Sequence, residues 1–244
     1  VLGGTGRGDN RFSAAEQAAP TSEQNVNQQR FDIGIVESRL FAENCYLAHL
    51  EGERECLVID PGLEPEEIIA WIEERNLRPA AILNTHGHAD HIAGNAALKR
   101  RWPDAPLMIG RGDGPKLTDA DLNLSAAYGL PITSPPADRL LDEGERLSLA
   151  GFELEVLDAP GHSAGHILFV WKEPSPWLVF GGDVLFAGGI GRTDFPDGDY
   201  DTLLRSIRQK LFTLPDDTQV LPGHGPVTTV GEEKRSNPFV GLGA

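Results

Sequence analysis

The run Thr85-His86-Gly87-His88-Ala89-Asp90-His91 holds three imidazoles and a carboxylate within six residues, directly behind the apolar stretch AAILN. A fold for this chain has to end a buried strand on four polar groups and still give each a partner, because burying them unpaired is costly. Side-chain packing seldom needs such a density of donors, and a flexible His-rich surface tract would lack the hydrophobic run in front of it. Neutral imidazole supplies a nitrogen lone pair near pH 7 and carboxylate an oxygen donor, which is what a divalent metal requires. In a loop leaving a strand, the alternate residues His86 and His88 can face one ion. Asp90 and His91 can then fold toward a neighbouring position, with Gly87 and Ala89 leaving room for the tight path.

Three later blocks carry the same chemistry. Ala159-Pro160-Gly161-His162-Ser163-Ala164-Gly165-His166 follows the strand-like FELEVLD, and its Pro and Gly favour a loop over a helix. His162 sits in that turn and is the choice for a third ligand; His166 opens the next apolar strand and reads as structural. Asp183 follows a strand and a Gly-Gly pair in VFGGDVLF. Alone it would be an ordinary turn Asp, but a buried carboxylate needs a cation, which makes it a candidate to bridge two metals. His224 lies in LPGHGP after another strand and, taken alone, is a simple turn histidine. Together these give His86, His88 and His162 as one set and Asp90, His91 and His224 as another, sharing Asp183. A paired site of this kind activates water and polarises a carbonyl or phosphoryl oxygen, and Asp90 and Asp183 are its candidate catalytic carboxylates.

Around these blocks the chain alternates short strand-like runs with amphipathic segments. FDIGIVESRL, NCYLAHL and ECLVIDP read as strands, as do PLMIG, Phe152–Leu157, His166–Val170 and Trp177–Phe180. EPEEIIAWIEERNL, HIAGNAALKRRW and YDTLLRSIRQKLFTL have helical spacing, and a short helix is predicted around Asp119–Tyr128. This mixture predicts layered sheets covered by helices. Residues 1–30 are rich in Gly, Ala, Ser, Thr and Gln and predict a flexible extension ahead of a catalytic domain over 31–244. Cys45 and Cys56, the two cysteines, both fall in strand-like runs and read as buried free thiols. With 37 acidic residues against 21 basic ones the formal charge is −16, which opposes a role in gripping nucleic acid. No run reaches the length of a membrane span and no basic n-region precedes an apolar stretch, so a cytoplasmic protein is expected.

In order and spacing, THGHADH, GHSAGH, the Asp of FGGDVLF and PGHG resemble the metallo-beta-lactamase superfamily over roughly Phe31 to Phe239. The resemblance implies an α/β fold, a four-layer αβ/βα sandwich, with His86, His88 and His162 at one metal, Asp90, His91 and His224 at the other, and Asp183 between them. It also implies that Asp60, in VIDPG, is an acid lying behind the metal loop; by position alone it is a strand-end turn residue. GIGRTDFPDGD and the tail GPVTTVGEEKRSNPF are similar to the glyoxalase II branch, the hydroxyacylglutathione hydrolases. That branch implies a binuclear thioester hydrolase acting on glutathione thioesters such as S-D-lactoylglutathione. Two divalent ions are implied, zinc being expected and iron or manganese compatible with the same donors.

The chain departs from the longer enzymes of that branch. No C-terminal helical domain follows in the sequence to Ala244, and Arg192-Thr193-Asp194 stands where those enzymes have Lys-Phe-Tyr. Lys234 and Arg235 are the cations left to meet a substrate carboxylate, although a solvated tail is the expectation for both. GRTDF also resembles a neighbouring branch of iron-dependent glutathione persulfide dioxygenases, which would use His86, His162 and Asp183. A non-catalytic metal-binding protein is the remaining alternative.

Overall fold

A computed structural model describes residues 11–13 and 30–243. The predicted extension over 1–30 therefore lies outside the described residues, except for Arg11–Ser13 and Arg30. Arg11–Ser13 form β1 and pair antiparallel with β2 (Phe31–Glu37). The first sheet continues through β3 (Asn44–Leu50), β4 (Glu55–Ile59), β5 (Arg78–Asn84), β6 (Leu107–Gly110) and β7 (Arg139–Leu141), in sequence order. Its first pairings are antiparallel and those from β4 to β7 parallel.

The second sheet contains β8 (Arg146–Leu149), β9 (Phe152–Asp158), β10 (Ile167–Trp171) and β11 (Leu178–Gly182). A small hairpin, β12 (Leu185–Phe186) and β13 (Gly189–Ile190), precedes its last strands, β14 (Gln219–Pro222) and β15 (Thr228–Thr229). The order is β15-β14-β11-β10-β9-β8, with β11 and β14 parallel.

Strand periodicity explains the layers. Tyr46, Ala48 and Leu50 of β3 face a core shared with Phe152, Phe169 and Phe180 of the other sheet, while Cys45 and Leu47 face the opposite way. On β10, Ile167, Phe169 and Trp171 enter that central core and Leu168 and Val170 an outer one. Both inner strands are thus apolar on each face, the pattern of a sheet covered on both sides. The outer face of the first sheet is closed by α1 (Pro65–Glu74) through Ile68 and Ile72, and by Leu98 beyond α2 (Ala89–Ile92), on α3 (Asn95–Arg101). The second sheet is closed by Leu203 and Ile207 of α4 (Tyr200–Gln209) and Val230 of α5 (Val230–Ser236). This is the expected four-layer sandwich.

Two helix expectations need correction. HIAGNAALKRRW is broken at Ala93-Gly94, because the chain passes against Pro61 and Gly62; the Gly94 N–H donates to the Pro61 carbonyl at 2.8 Å. A Cβ on Gly94 would lie 2.9 Å from both the Pro61 and Gly62 carbonyl oxygens. Between Asp119 and Tyr128 there is only one turn of 3-10 helix, Ala126–Tyr128, since side-chain hydrogen bonds from Asn123 and Ser125 capture the backbone there. Among the described residues no helix is long and apolar enough to cross a membrane.

Candidate metal centre

All seven predicted donors meet at one edge of the sandwich, beyond the carboxyl ends of β5, β11 and β14 and in the β9–β10 turn. Donor atoms of His86, His88 and His162 lie within 4.8 Å of one another, as do those of Asp90, His91 and His224. Asp183 stands between the sets: Oδ1 is 3.4 Å from His91 Nε2, and Oδ2 is 3.5 Å from His162 Nε2 and 3.4 Å from His224 Nε2.

The surroundings fix which nitrogen of three of the rings faces inward. His162 Nδ1 donates to the Arg192 carbonyl at 2.8 Å, His91 Nδ1 to Asp60 Oδ2 at 3.1 Å, and His224 Nδ1 to the Phe41 and Ala42 carbonyls at 3.1 and 3.2 Å. Each of these three rings therefore turns its Nε2 toward the site, the arrangement that holds a metal-binding histidine in place. His224 is brought across by the first sheet, where Tyr46 Oη donates to the Pro222 carbonyl at 2.7 Å and Asn44 Nδ2 to the Gly225 carbonyl at 2.9 Å.

Asp60 lies behind these donors. It is buried, with a left-handed φ of 50°, and accepts from Thr85 N at 2.7 Å, Thr85 Oγ1 at 2.6 Å and His91 Nδ1. Its oxygens also fall near His86 and His91, but three hydrogen bonds already occupy them, so it orients His91 and Thr85. Replacing Asp60 by Asn should lower metal affinity or activity about 10–100-fold, as loss of such an orienting partner typically does. Metal titration of the chelated variant measures it.

Electrostatics separates the two sets. Burial, then the neighbouring imidazoles, pushes the His86 pKa well down, and burial followed by His162 and Lys116 does the same to His88. Both are neutral donors. Burial opposes protonation of His91, yet the Asp183 and Asp90 carboxylates outweigh it and push the pKa well up. Against the same burial, hydrogen bonds to Asp183 and Asp90 bring His224 to about 10. The acidic half thus draws positive charge onto its own histidines, the charge a divalent cation supplies.

The donors fit such ions in another respect. His86 Nε2, His88 Nε2, His91 Nε2 and Asp183 Oδ1 are buried and have no hydrogen-bond partner in the protein. A cradle is kept open beside them: a Cβ on Gly223 would lie 2.2 Å from Asp183 Oδ1 and 2.6 Å from His91 Cε1. His166 stays outside the set, its Nε2 accepting from Asp183 N at 3.0 Å while its ring stacks on His86. His49 bonds the Glu53 carbonyl away from the site.

Asp113 was not singled out from the sequence. Fully buried, it accepts from Gly87 N, Ser163 Oγ and Gly165 N, each at 2.8 Å, and thereby clamps the THGHADH loop to the GHSAGH loop. Lys116 lies 3.3 Å from it and 2.7 Å from Asp197. The available signal was the spacing Gly110-Arg111-Gly112-Asp113-Gly114, whose glycines mark a close backbone approach. Glu43 was also missed. It is buried with both carboxylate oxygens unpartnered, and burial pushes its pKa well up.

A cavity of about 240 Å³ opens from His88, Asp90, His162, Asp183 and His224. Arg192 lies at its edge, paired to Asp194 by bonds of 2.9 and 2.8 Å, with its guanidinium 4.6 Å from the Phe195 ring. Lys234 and Arg235 bond Asp216 and Glu232 on or beside α5 and do not line the cavity.

Residues 38–224 match the model of the metallo-beta-lactamase superfamily. The chain is 45% identical over 212 residues to hydroxyacylglutathione hydrolase GloC of Haemophilus influenzae, covering 86% of this chain and 98% of that one. Among solved structures, the BLEG-1 B3 metallo-beta-lactamase superposes with a TM-score of 0.80 at 37% identity, over 86% of this chain and 99% of the other. TTHA1623, solved in a di-iron-bound form, superposes at 0.73 with 41% identity, over 84% and 98%.

Proposed function

Since the chain belongs to the metallo-beta-lactamase superfamily and is a metal-dependent hydrolase by fold and donor set, we propose that its reaction is the hydrolysis of glutathione thioesters such as S-D-lactoylglutathione. The observation that carries this reading is the complete second donor set, Asp90, His91 and His224, beside the first. In this reading His86, His88 and His162 would hold one ion and Asp90, His91 and His224 the other, with Asp183 placed between the two sets to serve both. Zinc is the ion proposed; nitrogen and oxygen donors accept iron and manganese as well. Free buried thiols at Cys45 and Cys56 support a cytoplasmic setting.

Bound there, two divalent ions supply Lewis acidity and water of lowered pKa. The protein's part is orientation. Asp90 and Asp183 both line the cavity, so their carboxylates can hold water against a carbonyl carbon placed between the two sets. Asp60, through His91, and the Arg192 carbonyl, through His162, keep the imidazoles from turning away. The net reaction adds water across the acyl–sulfur bond: oxygen joins the acyl carbon to give a carboxylic acid, and the proton goes with the sulfur as free thiol.

The purified protein should carry two metals per chain and hydrolyse S-D-lactoylglutathione. One iron per chain with persulfide-dependent oxygen uptake would assign it to the dioxygenases instead. Chelation should lower the melting temperature. Zinc restored at 100 times its Kd adds about 2.7 kcal/mol, or about 5–11 °C for a protein of this size. Calorimetry with and without chelator reads the difference.

A further inference from the structure

Beside its donor residues and the polar Asn123, Ser125 and Arg192, the cavity has a continuous apolar wall. Phe41, Leu124, Tyr128, Leu130 and Ile132 line it, and Tyr128 and Leu130 are 58% and 48% exposed. Four of the five come from one loop, residues 119–132, and Tyr128 meets Phe41 edge-on across the opening with ring centroids 6.1 Å apart.

That loop is braced. Leu124 has a φ of +71°, a region where a side chain bearing Cβ is strained, and such strain persists only where the surroundings over-determine it. Here the brace is Asn123. Its Nδ2 donates to the Lys116 carbonyl at 3.1 Å and the Ile132 carbonyl at 2.9 Å, while its Oδ1 accepts from Ser125 Oγ at 2.6 Å. Ser125 Oγ in turn accepts from Ile132 N at 2.9 Å. The Asn123 carbonyl takes the N–H of Ala89 at 3.1 Å, next to Asp90, so the wall is fixed directly to the metal loop. A leucine is held in a glycine's conformation where it lines the site.

We propose that this wall is an acyl-chain subsite, and that the enzyme prefers thioesters with hydrocarbon acyl groups of several carbons to those of small hydroxy acids such as lactate. The inference rests on the thioesterase reading. The glutathione half of such a thioester is polar throughout, a tripeptide carrying two carboxylates and an ammonium, so only the acyl half can cover an apolar wall. Lactate, with its hydroxyl and single methyl, leaves most of that wall against water.

The test is a series of S-acetyl-, S-butanoyl-, S-hexanoyl- and S-octanoylglutathione beside S-D-lactoylglutathione, on the zinc-loaded enzyme. kcat/KM should rise up to about fourfold per methylene, the equivalent of ~0.8 kcal/mol for a buried CH2, until the wall is covered. Leu124→Gly folds, because glycine adopts φ +71° without strain, and should cut the hexanoyl-to-acetyl ratio by about fivefold or more. Tyr128→Ala, at an exposed position, should lower the same ratio. Leu122→Ser, exposed on the same loop but outside the cavity, should keep the wild-type ratio.

A flat series with lactoylglutathione still hydrolysed overturns the subsite and leaves the thioesterase standing. A rising series that neither cavity variant alters overturns its assignment to this wall. Rates that instead follow the thiol, tested with S-acetyl esters of glutathione and of hexanethiol, put the hydrocarbon on the leaving side and also overturn it. If no thioester turns over faster than with an Asp183→Asn control, the thioesterase reading itself falls.

Discussion

Asp183→Asn is expected to lower kcat/KM for S-D-lactoylglutathione by at least about 1,000-fold, ~4 kcal/mol of transition-state stabilisation. The carboxylate approaches both donor sets, with Oδ1 toward His91 and Oδ2 toward His162 and His224. An amide of the same shape keeps one weak oxygen donor and turns an NH2 toward imidazole nitrogens or a cation, so a neutral group replaces the charge that ties the sets together. The burial that opposes ionisation of Asp183 is outweighed by the neighbouring His91 and His224 imidazoles, which hold its pKa well below the usual carboxylate range. It is therefore a carboxylate at neutral pH. Metal analysis should find fewer than two ions per chain in the variant. Full occupancy with wild-type turnover would remove Asp183 from the centre.

Asp113→Ala is expected to lower stability by about 3–5 kcal/mol, the range for breaking a buried charge pair. Three donors, Gly87 N, Gly165 N and Ser163 Oγ, would lose their acceptor, and Lys116 one of its two carboxylates. At about 2–4 °C per kcal/mol for a chain of this length, the melting temperature should fall by about 6–20 °C. Because Gly87 lies between His86 and His88, and Ser163 follows His162, metal affinity should fall with it. Asp113→Asn, which keeps an acceptor of the same size, should recover part of the stability. If Asp113→Ala melts within a degree of wild type, the two loops are held by something other than this carboxylate.

Much of the architecture was legible because its causes are local. The continuous apolar runs of β3, β10 and β11 follow from strands covered on both faces. The 10-residue α1 follows from Ile68 and Ile72 recurring four apart behind a Pro at the first turn. Where helix expectations failed, a distant partner was responsible. Gly94 breaks a helical pattern because Pro61 lies against it, and Asn123 replaces the predicted 119–128 helix with side-chain hydrogen bonds to residues 116 and 132.

By itself, the sequence determined which chemistry this protein can perform: imidazole and carboxylate donors at strand ends are fixed by residue type and by the local pattern that places them there. Only the tertiary structure decided which donors meet and what else they meet. His88 and His162 are 74 residues apart and lie 2.9 Å from each other, and Asp113 reaches 50 residues ahead to Ser163. Such contacts depend on how two sheets stack, and stacking is a sum over many buried side chains that no short motif encodes. The apolar wall beside the donor residues is the same kind of result. Leu124, Tyr128 and Ile132 are unremarkable in a polar loop until the fold sets them beside Asp90 and Asp183.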